Sequence, residues 1–560
     1  MGQGNGARMG PRSAKGYRLG VFLILLQVLP WGGAPAVGAV ATYAASQSDV
    51  RFEEVEVVTG TADRQSVLTG FLLGGEVADI AVLNVDDEGD RRLRIYSFEE
   101  STWVPALETT LRSGVSFVDV ARIDGRDRLV TYDDGVLSWF DPESAMEHAL
   151  LALTSIFQPP RRDEVPHVDI TDDVNDDGRD DLVVPGTAGF HVFTQTDEGS
   201  FSEPVTIGSP ADLSRIYGAD GYRYDPWSQS RVHKMDYNRD GRTDLVFWSD
   251  DHFVVHLQRE RGRFGAEIET FTTEVTFDSD DLSSLTTGDV RRKVLHSISD
   301  MNGDGIGDLV VVSLEGARAS RKRSVYEVHL GAPTPGSGTT IVPGGQITFR
   351  STDTIQIGMK RLDLGRDGEI SVMVTTIDPK FVEGSFWKTL KGAMGDDVLL
   401  DLEFYTARDG RFPDQPNVTR TIALDGAPSH REPGWVPLDV VLDGPTHTSK
   451  RTRTSWPRAF NRTVLIGDVT GDGRADLLME PEFMELNVFV GVPGPELFAR
   501  RPQKVAVSLH DEEYVWMTDL NRDGREDILL HHPFTRRDGH GARKRPPGTE
   551  PNRVTVLFSR

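Results

Sequence analysis

The amino-acid sequence predicts an all-β protein, a β-propeller of seven or eight four-stranded blades. Three observations support this prediction. One acidic loop motif recurs after residue 60, a short apolar run follows each copy, and further alternating segments repeat in the same order, which gives eight sequence units. Four antiparallel strands in a unit of roughly 40–60 residues are typical of a propeller blade. The 56 glycines among 560 residues also favour many turns over long helices.

The recurring motif is D-x-[N/T]-x-D-G-x-x-D, and five units carry it completely. These copies, which we call the acidic loops, span residues 173–181, 236–244, 300–308, 468–476 and 519–527. Oxygen-bearing side chains at positions one, three, five and nine suit Ca²⁺, a hard cation that takes about six to eight oxygen ligands. The glycine at position six permits the sharp turn that folds these side chains inward. We therefore predict about five Ca²⁺ ions.

The predicted calcium ligands are the motif side chains of the five acidic loops. They are Asp173, Asn175, Asp177, Asp181, Asp236, Asn238, Asp240, Asp244, Asp300, Asn302, Asp304, Asp308, Asp468, Thr470, Asp472, Asp476, Asp519, Asn521, Asp523 and Asp527. An EF-hand is excluded because its loop needs a glutamate at position twelve, where all five copies are apolar. An ion-free turn is disfavoured because three carboxylates around one turn repel one another.

Three further units carry degenerate copies of the motif. The sixth keeps Asp363 and Asp367 but has Ser371 at position nine, so we predict that it binds calcium weakly or not at all. The second has Val120, Arg122 and Arg128 at positions one, three and nine, so we predict that it cannot bind calcium, although a guanidinium such as that of Arg128 could take the place of the ion. The first keeps only Asp79.

The propeller is predicted to span residues 50–560 as one domain. A strand-like segment at 51–58 precedes the first unit, and the last unit stops after its third strand, so the segment is predicted to complete the last blade and close the ring. The interval between the sixth and seventh units is longer than the others. It contains an insertion at 379–397 with apolar residues at helical spacing and a long connector at 425–462.

This pattern resembles the FG-GAP/VCBS repeat, the calcium-loop propeller repeat that is also found in integrin α-chain heads. The resemblance covers roughly residues 50–560 and is carried by the five acidic loops. It implies that the loops connect the first and second strands of each blade and that they have a structural role. Integrin heads have seven blades, whereas this sequence has eight units, so seven and eight both remain open.

Residues 1–41 are predicted to be a signal peptide, with cleavage between 36 and 45. A basic segment precedes an apolar run at 19–29, and small residues with Ala-x-Ala spacing follow. The apolar run is about half the length of a membrane-spanning helix. We therefore predict a secreted protein, which is extracellular, on the cell surface or periplasmic, with no membrane span after cleavage.

The composition excludes several classes of function. Lys and Arg total 61 and Asp and Glu total 87, so the formal net charge is −26, which argues against nucleic acid and anionic membranes as partners. The chain has no cysteine, which excludes disulfides, zinc–thiolate sites and thiol catalysis. Bound calcium is therefore predicted to stabilise the fold in place of disulfides.

The propeller's two faces are predicted to differ. In a four-strand meander, the acidic loops share one face with the third-to-fourth connections, and the long insertions are all expected on the other. That second face is predicted to gather basic and aromatic residues, which suit an anionic or carbohydrate ligand or an acidic protein. The alternative is a set of solvated loops with local packing anchors. The candidate ligand-binding residues are Arg321, Arg323, Arg453, Trp456, Arg458, Arg543, Arg545, Tyr224 and Trp227.

The sequence contains no motif that marks a catalyst. It has no Gly-x-Ser-x-Gly elbow, no His-Glu-x-x-His and no phosphate-binding loop. We therefore predict a secreted, calcium-binding module for an extracellular protein or polysaccharide. The alternative, by fold analogy, is an extracellular polysaccharide-degrading enzyme of the lyase type. A purely structural surface component is also compatible with the sequence.

Overall fold

The computed structural model describes most of the chain after residue 49. The described residues are 50–62, 64–155, 163–208, 223–224, 232–280, 293–315, 323–336, 338–350, 354–365, 369–377, 398–424, 453–454, 464–482, 485–507, 514–532 and 551–560. The predicted signal peptide, the insertion at 379–397 and the connector at 425–462, apart from residues 453–454, lie outside this part of the chain.

We number the strands in chain order. Those of the first half are β1 Phe52–Gly60, β2 Ser66–Gly70, β3 Asp79–Val85, β4 Arg91–Glu99, β5 Thr102–Leu111, β6 Val115–Ile123, β7 Arg126–Asp133, β8 Val136–Asp141, β9 Met146–Ala152, β10 His167–Val168, β11 Thr171–Asp172, β12 Asp181–Gly186, β13 Gly189–Phe193, β14 Val205–Ile207, β15 Arg223–Tyr224, β16 Val232–Met235, β17 Asp244–Ser249, β18 His252–Gln258 and β19 Phe264–Phe271. A single 3₁₀ turn, Glu260–Gly262, lies between β18 and β19.

The second half continues in the same way. Its strands are β20 Lys293–Ser299, β21 Asp308–Glu315, β22 Arg323–His329, β23 Gly331–Pro333, β24 Thr339–Ile341, β25 Ile347–Arg350, β26 Ile355–Leu362, β27 Ser371–Ile377, β28 Val398–Thr406, β29 Val418–Leu424, β30 Arg453–Thr454, β31 Val464–Gly467, β32 Asp476–Glu482, β33 Glu485–Phe489, β34 Gln503–Ala506, β35 Tyr514–Thr518, β36 Asp527–His532 and β37 Asn552–Ser559. In the described part of the chain, no helix is long and apolar enough to cross a membrane.

The strands form eight antiparallel four-stranded meanders, so the protein is an eight-bladed β-propeller. Blades 1 to 4 are β2–β5, β6–β9, β11–β14 and β16–β19. Blades 5 to 8 are β20–β21–β22–β25, β26–β29, β31–β34 and β35–β36–β37–β1. The predicted all-β propeller is confirmed, and the count that the sequence left between seven and eight is eight.

The hydrophobic core is divided among the junctions between blades. Each of eight buried clusters draws its side chains from two neighbouring blades, and one cluster joins blade 8 to blade 1. Because each blade contributes to two clusters, its second strand is covered on both faces. β12, for example, is buried at every residue. Fourth strands lie at the rim, and β19 is mostly exposed. Because every neighbouring pair shares a cluster, the ring is closed.

The N-terminal strand completes the last blade, as the sequence predicted. β1 pairs antiparallel with β37, from Phe52 opposite Ser559 to Gly60 opposite Asn552. At the open end of this pair the Arg560 guanidinium lies 2.6 Å from a carboxylate oxygen of Glu53. One sheet thus contains both ends of the propeller.

Three short strands were not predicted from the sequence. They add to the sheets of blades 2 and 8, beside the first strand of each blade. β10 pairs in parallel with β6 of blade 2, and β15 pairs in parallel with β10. β30 pairs antiparallel with β35 of blade 8. His167 in β10 lies with Nε2 2.9 Å from Oδ1 of Asp119, whose second oxygen accepts the Ile170 N–H at 2.9 Å. This carboxylate fixes the segment that leads into blade 3.

Candidate metal centres

All five acidic loops connect the first strand of a blade to its second strand. They belong to blades 3, 4, 5, 7 and 8 and lie between β11 and β12, β16 and β17, β20 and β21, β31 and β32, and β35 and β36. Connections of this type emerge on the same face of a propeller. The sequence prediction that the loops join two strands is correct.

The five loops share one backbone conformation. Their position-six glycines have φ between 79° and 86°: Gly178, Gly241, Gly305, Gly473 and Gly524. A Cβ added to any of these glycines would meet no atom within 4 Å, so the left-handed backbone, and not lack of space, requires glycine. Position four is also left-handed in every loop, at Asp176, Arg239, Gly303, Gly471 and Arg522. The left-handed conformation at position four could not be predicted from the motif, because the residue type at this position varies.

The carboxylates at positions one and five fold each loop around itself, as the loop of blade 4 shows. The two oxygens of Asp236 accept the N–H groups of Asp240 at 3.0 Å and Gly241 at 2.9 Å. The Asp240 Oδ1 then accepts the N–H of Arg242 at 3.0 Å. These bonds hold the turn and direct several acidic side chains toward the same short segment.

The position-nine aspartate ties the loop to the rest of its blade. In all five loops it is buried, one oxygen accepts the N–H of position two, and the other accepts the N–H of a residue at the end of the third strand or one or two residues beyond it. For Asp181 these bonds, from Val174 and Gln195, measure 3.1 and 2.7 Å. The equivalent bonds of the other four aspartates measure 2.7–3.0 Å. Since a carboxylate oxygen can accept more than one bond, this role is compatible with metal ligation.

Burial raises the pKa of every position-nine aspartate. The pKa of Asp181 rises to about 8 and that of Asp527 to about 7, while those of Asp244, Asp308 and Asp476 rise to about 6. Burial is the main cause, and the acidic neighbours of the same loop raise the pKa further. The negative form of this carboxylate is therefore disfavoured in each loop, and a cation bound beside it would favour that form.

The chemistry of the donor set fits a hard cation. Carboxylate, amide and hydroxyl oxygens are the side-chain donors at the motif positions. Among the described residues, no three His, Asp or Glu side chains form a ready metal cluster by themselves. The motif offers an ion the carboxylates and also the amide or hydroxyl oxygen at position three.

Neighbouring loops are hydrogen-bonded to one another around the ring. The Ala78 N–H of blade 1 donates to the Leu520 carbonyl in the loop of blade 8 at 2.7 Å. The Glu526 N–H in that loop donates to the Asp468 carbonyl in the loop of blade 7, also at 2.7 Å. Lys234 of blade 4 donates from Nζ to the Asp173 carbonyl of blade 3 at 2.6 Å. Each of these bonds thus joins an acidic loop to the adjacent blade.

Third-to-fourth connections cover the loop of the preceding blade. In the connection between β18 and β19, the Gly262 carbonyl accepts the Asn175 side-chain N–H at 3.1 Å. A hairpin formed by β23 and β24 covers the loop of blade 4, where Thr339 Oγ1 donates to the Tyr237 carbonyl at 2.8 Å. The prediction that all long insertions leave from the opposite face is wrong for this hairpin, because it belongs to a third-to-fourth connection.

The degenerate loops keep parts of this framework. In the sixth unit Asp363 Oδ1 accepts the Gly365 N–H at 2.9 Å, and Asp367 lies outside the described residues. Ser371, which replaces the aspartate at position nine, is buried, and its hydroxyl lies 2.9 Å from that of Thr406. The first unit keeps the position-nine bond, since Asp79 Oδ2 accepts the Leu73 N–H at 2.7 Å.

The second unit has no loop that could hold an ion. β6 and β7 are joined by the two residues Asp124 and Gly125, both with positive φ, as in a tight hairpin turn. The suggestion that the Arg128 guanidinium takes the place of an ion is wrong. That guanidinium instead lies 3.8 Å from the centre of the Trp139 ring.

The candidate ligand-binding residues fall mostly outside the described chain. Arg321, Trp456, Arg458, Arg543, Arg545 and Trp227 all do. The other three are strand residues in different sheets: Tyr224 lies opposite Val168, Arg453 lies opposite Met517, and Arg323 begins β22. Tyr224 belongs to the sheet of blade 2, Arg323 to that of blade 5 and Arg453 to that of blade 8. These three positions therefore lie in the sheets of three different blades.

We expect the position-nine aspartate to stabilise its blade even where no calcium ligands remain. Asp79→Ala removes a buried side chain whose Oδ2 accepts the Leu73 N–H at 2.7 Å, and it is expected to reduce the free energy of unfolding by about 2 kcal/mol. Urea unfolding measures this loss, which should be the same in Ca²⁺ and in a chelator. Glu108→Ala removes an exposed acid from the same blade and should change stability by less than about 0.5 kcal/mol. A loss seen only with Ca²⁺ would contradict the purely structural role.

Comparison with known proteins finds several solved structures that have low similarity to this chain. No family model and no curated protein matches the chain. The V. cholerae biofilm matrix protein Bap1 is similar at 12% identity and a TM-score of 0.36, with 91% of each chain covered. An Agrocybe aegerita lectin, whose structure concerns recognition of non-reducing terminal N-acetylglucosamine, is similar at 13% identity and a TM-score of 0.33, over 67% of this chain and 83% of the lectin.

A further similar structure is the WD40 domain of SCAP from fission yeast. Its identity is 11% and its TM-score is 0.24, over 72% of this chain and 95% of that domain. Because all three TM-scores are below 0.5, the propeller assignment rests on the sheet topology and on the eight clusters shared between blades.

Proposed function

We propose that the protein is a secreted, calcium-stabilised β-propeller that binds an extracellular protein or polysaccharide. The observation that carries this proposal is the repetition of one loop conformation five times on one face of the ring, with the same oxygen donors and the same pair of left-handed residues. Asp, Asn and Thr oxygens would hold the ion in each loop. The calcium would supply positive charge that fixes the loop against its neighbours. We further propose that the loops are of the FG-GAP/VCBS type.

The proposed binding role rests on the connections at the face opposite the acidic loops. With calcium committed to the acidic loops on one face, the connections on the other face are free to carry specificity. Their sequences contain clustered arginines, lysines and aromatic residues in a chain of net charge −26. Arginine forks pair with carboxylates or sulfates, and aromatic rings stack on sugars. An acidic polysaccharide or an acidic protein surface is the ligand that this chemistry fits.

Binding of acidic polysaccharides is expected to depend on the basic residues of the 534–553 segment. The double variant Arg543→Glu and Arg545→Glu should weaken retention on an acidic polysaccharide by about tenfold or more, because two attractive contacts become repulsive. Immobilised acidic and neutral polysaccharides, read by surface plasmon resonance in Ca²⁺, provide the measurement. Arg500→Glu, at an exposed arginine outside this segment, is the matched control and should bind as the parent does. Equal losses in both variants, or no retention of the parent, would contradict the proposal.

One observation favours catalysis as a second candidate. Asp119 is held by backbone N–H groups and lies 2.9 Å from Nε2 of His167, an arrangement that orients an imidazole for proton transfer. The polysaccharide panel separates the two candidates. Chain cleavage with ultraviolet-absorbing unsaturated products, lost in His167→Gln, would establish a lyase. Retention without cleavage supports the binding module.

A further inference from the structure

We propose that the arginine at position seven sets the calcium affinity of its own acidic loop, an inference that rests on the proposed calcium sites. Four loops have arginine there: Arg179, Arg242, Arg474 and Arg525. The loop of blade 5 has Ile306 instead. The guanidinium is a built-in counter-ion with which an incoming Ca²⁺ must compete.

Three of the arginines pair with the position-five aspartate of the same loop. The guanidinium of Arg179 lies 2.6 Å from Oδ2 of Asp177, and those of Arg242 and Arg474 pair with Oδ2 of their own position-five aspartates. In every case Oδ1 of that aspartate accepts the N–H of the position-seven residue. The guanidinium therefore binds the second oxygen, Oδ2, which in blade 4 also accepts the Asn238 side-chain N–H at 3.0 Å.

The remaining two loops do not have this pairing in the described structure. In blade 5, Asp304 Oδ2 accepts the Asn302 side-chain N–H at 3.0 Å. In blade 8 the Arg525 side chain packs against the neighbouring loop, where a Cβ added to Gly471 would lie 2.9 Å from Arg525 Cγ. Asp523 Oδ2 instead accepts the Asn521 side-chain N–H at 3.2 Å.

Two classes of site follow from this difference. A cation that enters the loops of blades 3, 4 and 7 must displace a guanidinium from a ligand oxygen and remain close to its charge. A cation that enters the loops of blades 5 and 8 meets only a neutral amide at the same oxygen. We infer that blades 5 and 8 fill first as Ca²⁺ rises, and that blades 3, 4 and 7 fill at higher concentration.

The loop of blade 4 allows this inference to be tested in the full-length protein. Tyr237 occupies position two, next to the first ligand, and can transfer excitation energy to a bound Tb³⁺ ion. The position-two residues of the other acidic loops do not absorb at the same wavelength: Val174, Met301, Val469 and Leu520. Tyrosine-sensitised Tb³⁺ emission that disappears in Tyr237→Phe therefore reports the loop of blade 4 alone, and added Ca²⁺ competes for it.

Two arginines of this loop form a matched pair of variants. Arg242→Gln removes the guanidinium from Asp240, whereas Arg239→Gln makes the same charge change at a guanidinium that donates to the Gly336 carbonyl at 2.8 Å. Arg242→Gln is expected to tighten Tb³⁺ and Ca²⁺ binding by about threefold to fivefold beyond Arg239→Gln, the range of a partly exposed ion pair. Arg242→Lys, which keeps the charge, should remain close to the parent.

The outcomes separate this inference from the function on which it rests. Equal or weaker binding in Arg242→Gln than in Arg239→Gln, with Tyr237-dependent emission intact, overturns the role of position seven and leaves calcium binding in place. Absence of Tyr237-dependent emission from the unmodified protein overturns the calcium site itself. Circular dichroism of each variant confirms that the propeller has folded before the titrations are compared.

Discussion

Removal of calcium with a chelator is expected to lower the melting temperature of the protein by roughly 15 °C. An ion bound only to the folded state stabilises it by about 2.7 kcal/mol at a hundredfold excess over Kd, and five acidic loops are available. The loops also hydrogen-bond to the adjacent blades, so their loss weakens several junctions together. Scanning calorimetry with chelator, and again after Ca²⁺ is restored, measures the effect.

Two aspartates of blade 4 supply the control for this prediction. Asp240→Asn removes a carboxylate from an acidic loop and is expected to reduce the calcium-dependent shift. Asp251→Asn makes the same change at an exposed residue between β17 and β18 and should leave the shift unchanged. Mg²⁺, which requires shorter bonds and nearly octahedral geometry, should restore little of the stability. A melting temperature that does not respond to the chelator would refute the calcium assignment of all five loops.

The sequence predicted the parts of the fold that repeat. The acidic loops could be placed between strands because an apolar run follows each copy of the motif, and β12 is indeed buried along its whole length. The closing strand could be predicted because it stood before the first unit without a partner, and it pairs with β37. In both cases the local sequence pattern was compatible with only one strand or loop position in a ring of four-stranded blades.

The features that the sequence did not predict arise from contacts between units. The left-handed residue at position four carries no signature, since Asp176, Arg239 and Gly303 all occupy it. β10 and β15 are only two residues long and are defined by their partners, not by a pattern of their own. The second hydrogen bond of each position-nine aspartate comes from a residue at or just after the end of the third strand, which is distant in sequence, so this second role could not be predicted from the motif.

Deletion of residues 49–60 is expected to leave a protein that aggregates or melts about 20 °C or more below its parent. The deletion exposes the edge of β37 along its whole length. It also removes Val57 from the cluster in which Phe98, Trp103 and Phe558 join blade 8 to blade 1. Thermal melting and size-exclusion chromatography of the two proteins measure both consequences.

Transfer of the same strand to the other end of the chain separates blade completion from ring closure. The Arg560 N–H already donates to the Arg51 carbonyl at 2.9 Å, so an Asn-Gly turn can join residue 560 to residues 51–60 as a hairpin. This permuted protein has a complete blade 8 but no covalent link from β1 to β2. We expect it to fold, because the edge of β37 is paired again, and to melt between the deletion variant and the parent. A deletion variant as stable as the parent would show that β1 does not hold the ring closed, whereas a permuted protein as unstable as the deletion would assign the whole effect to the link between blades 8 and 1.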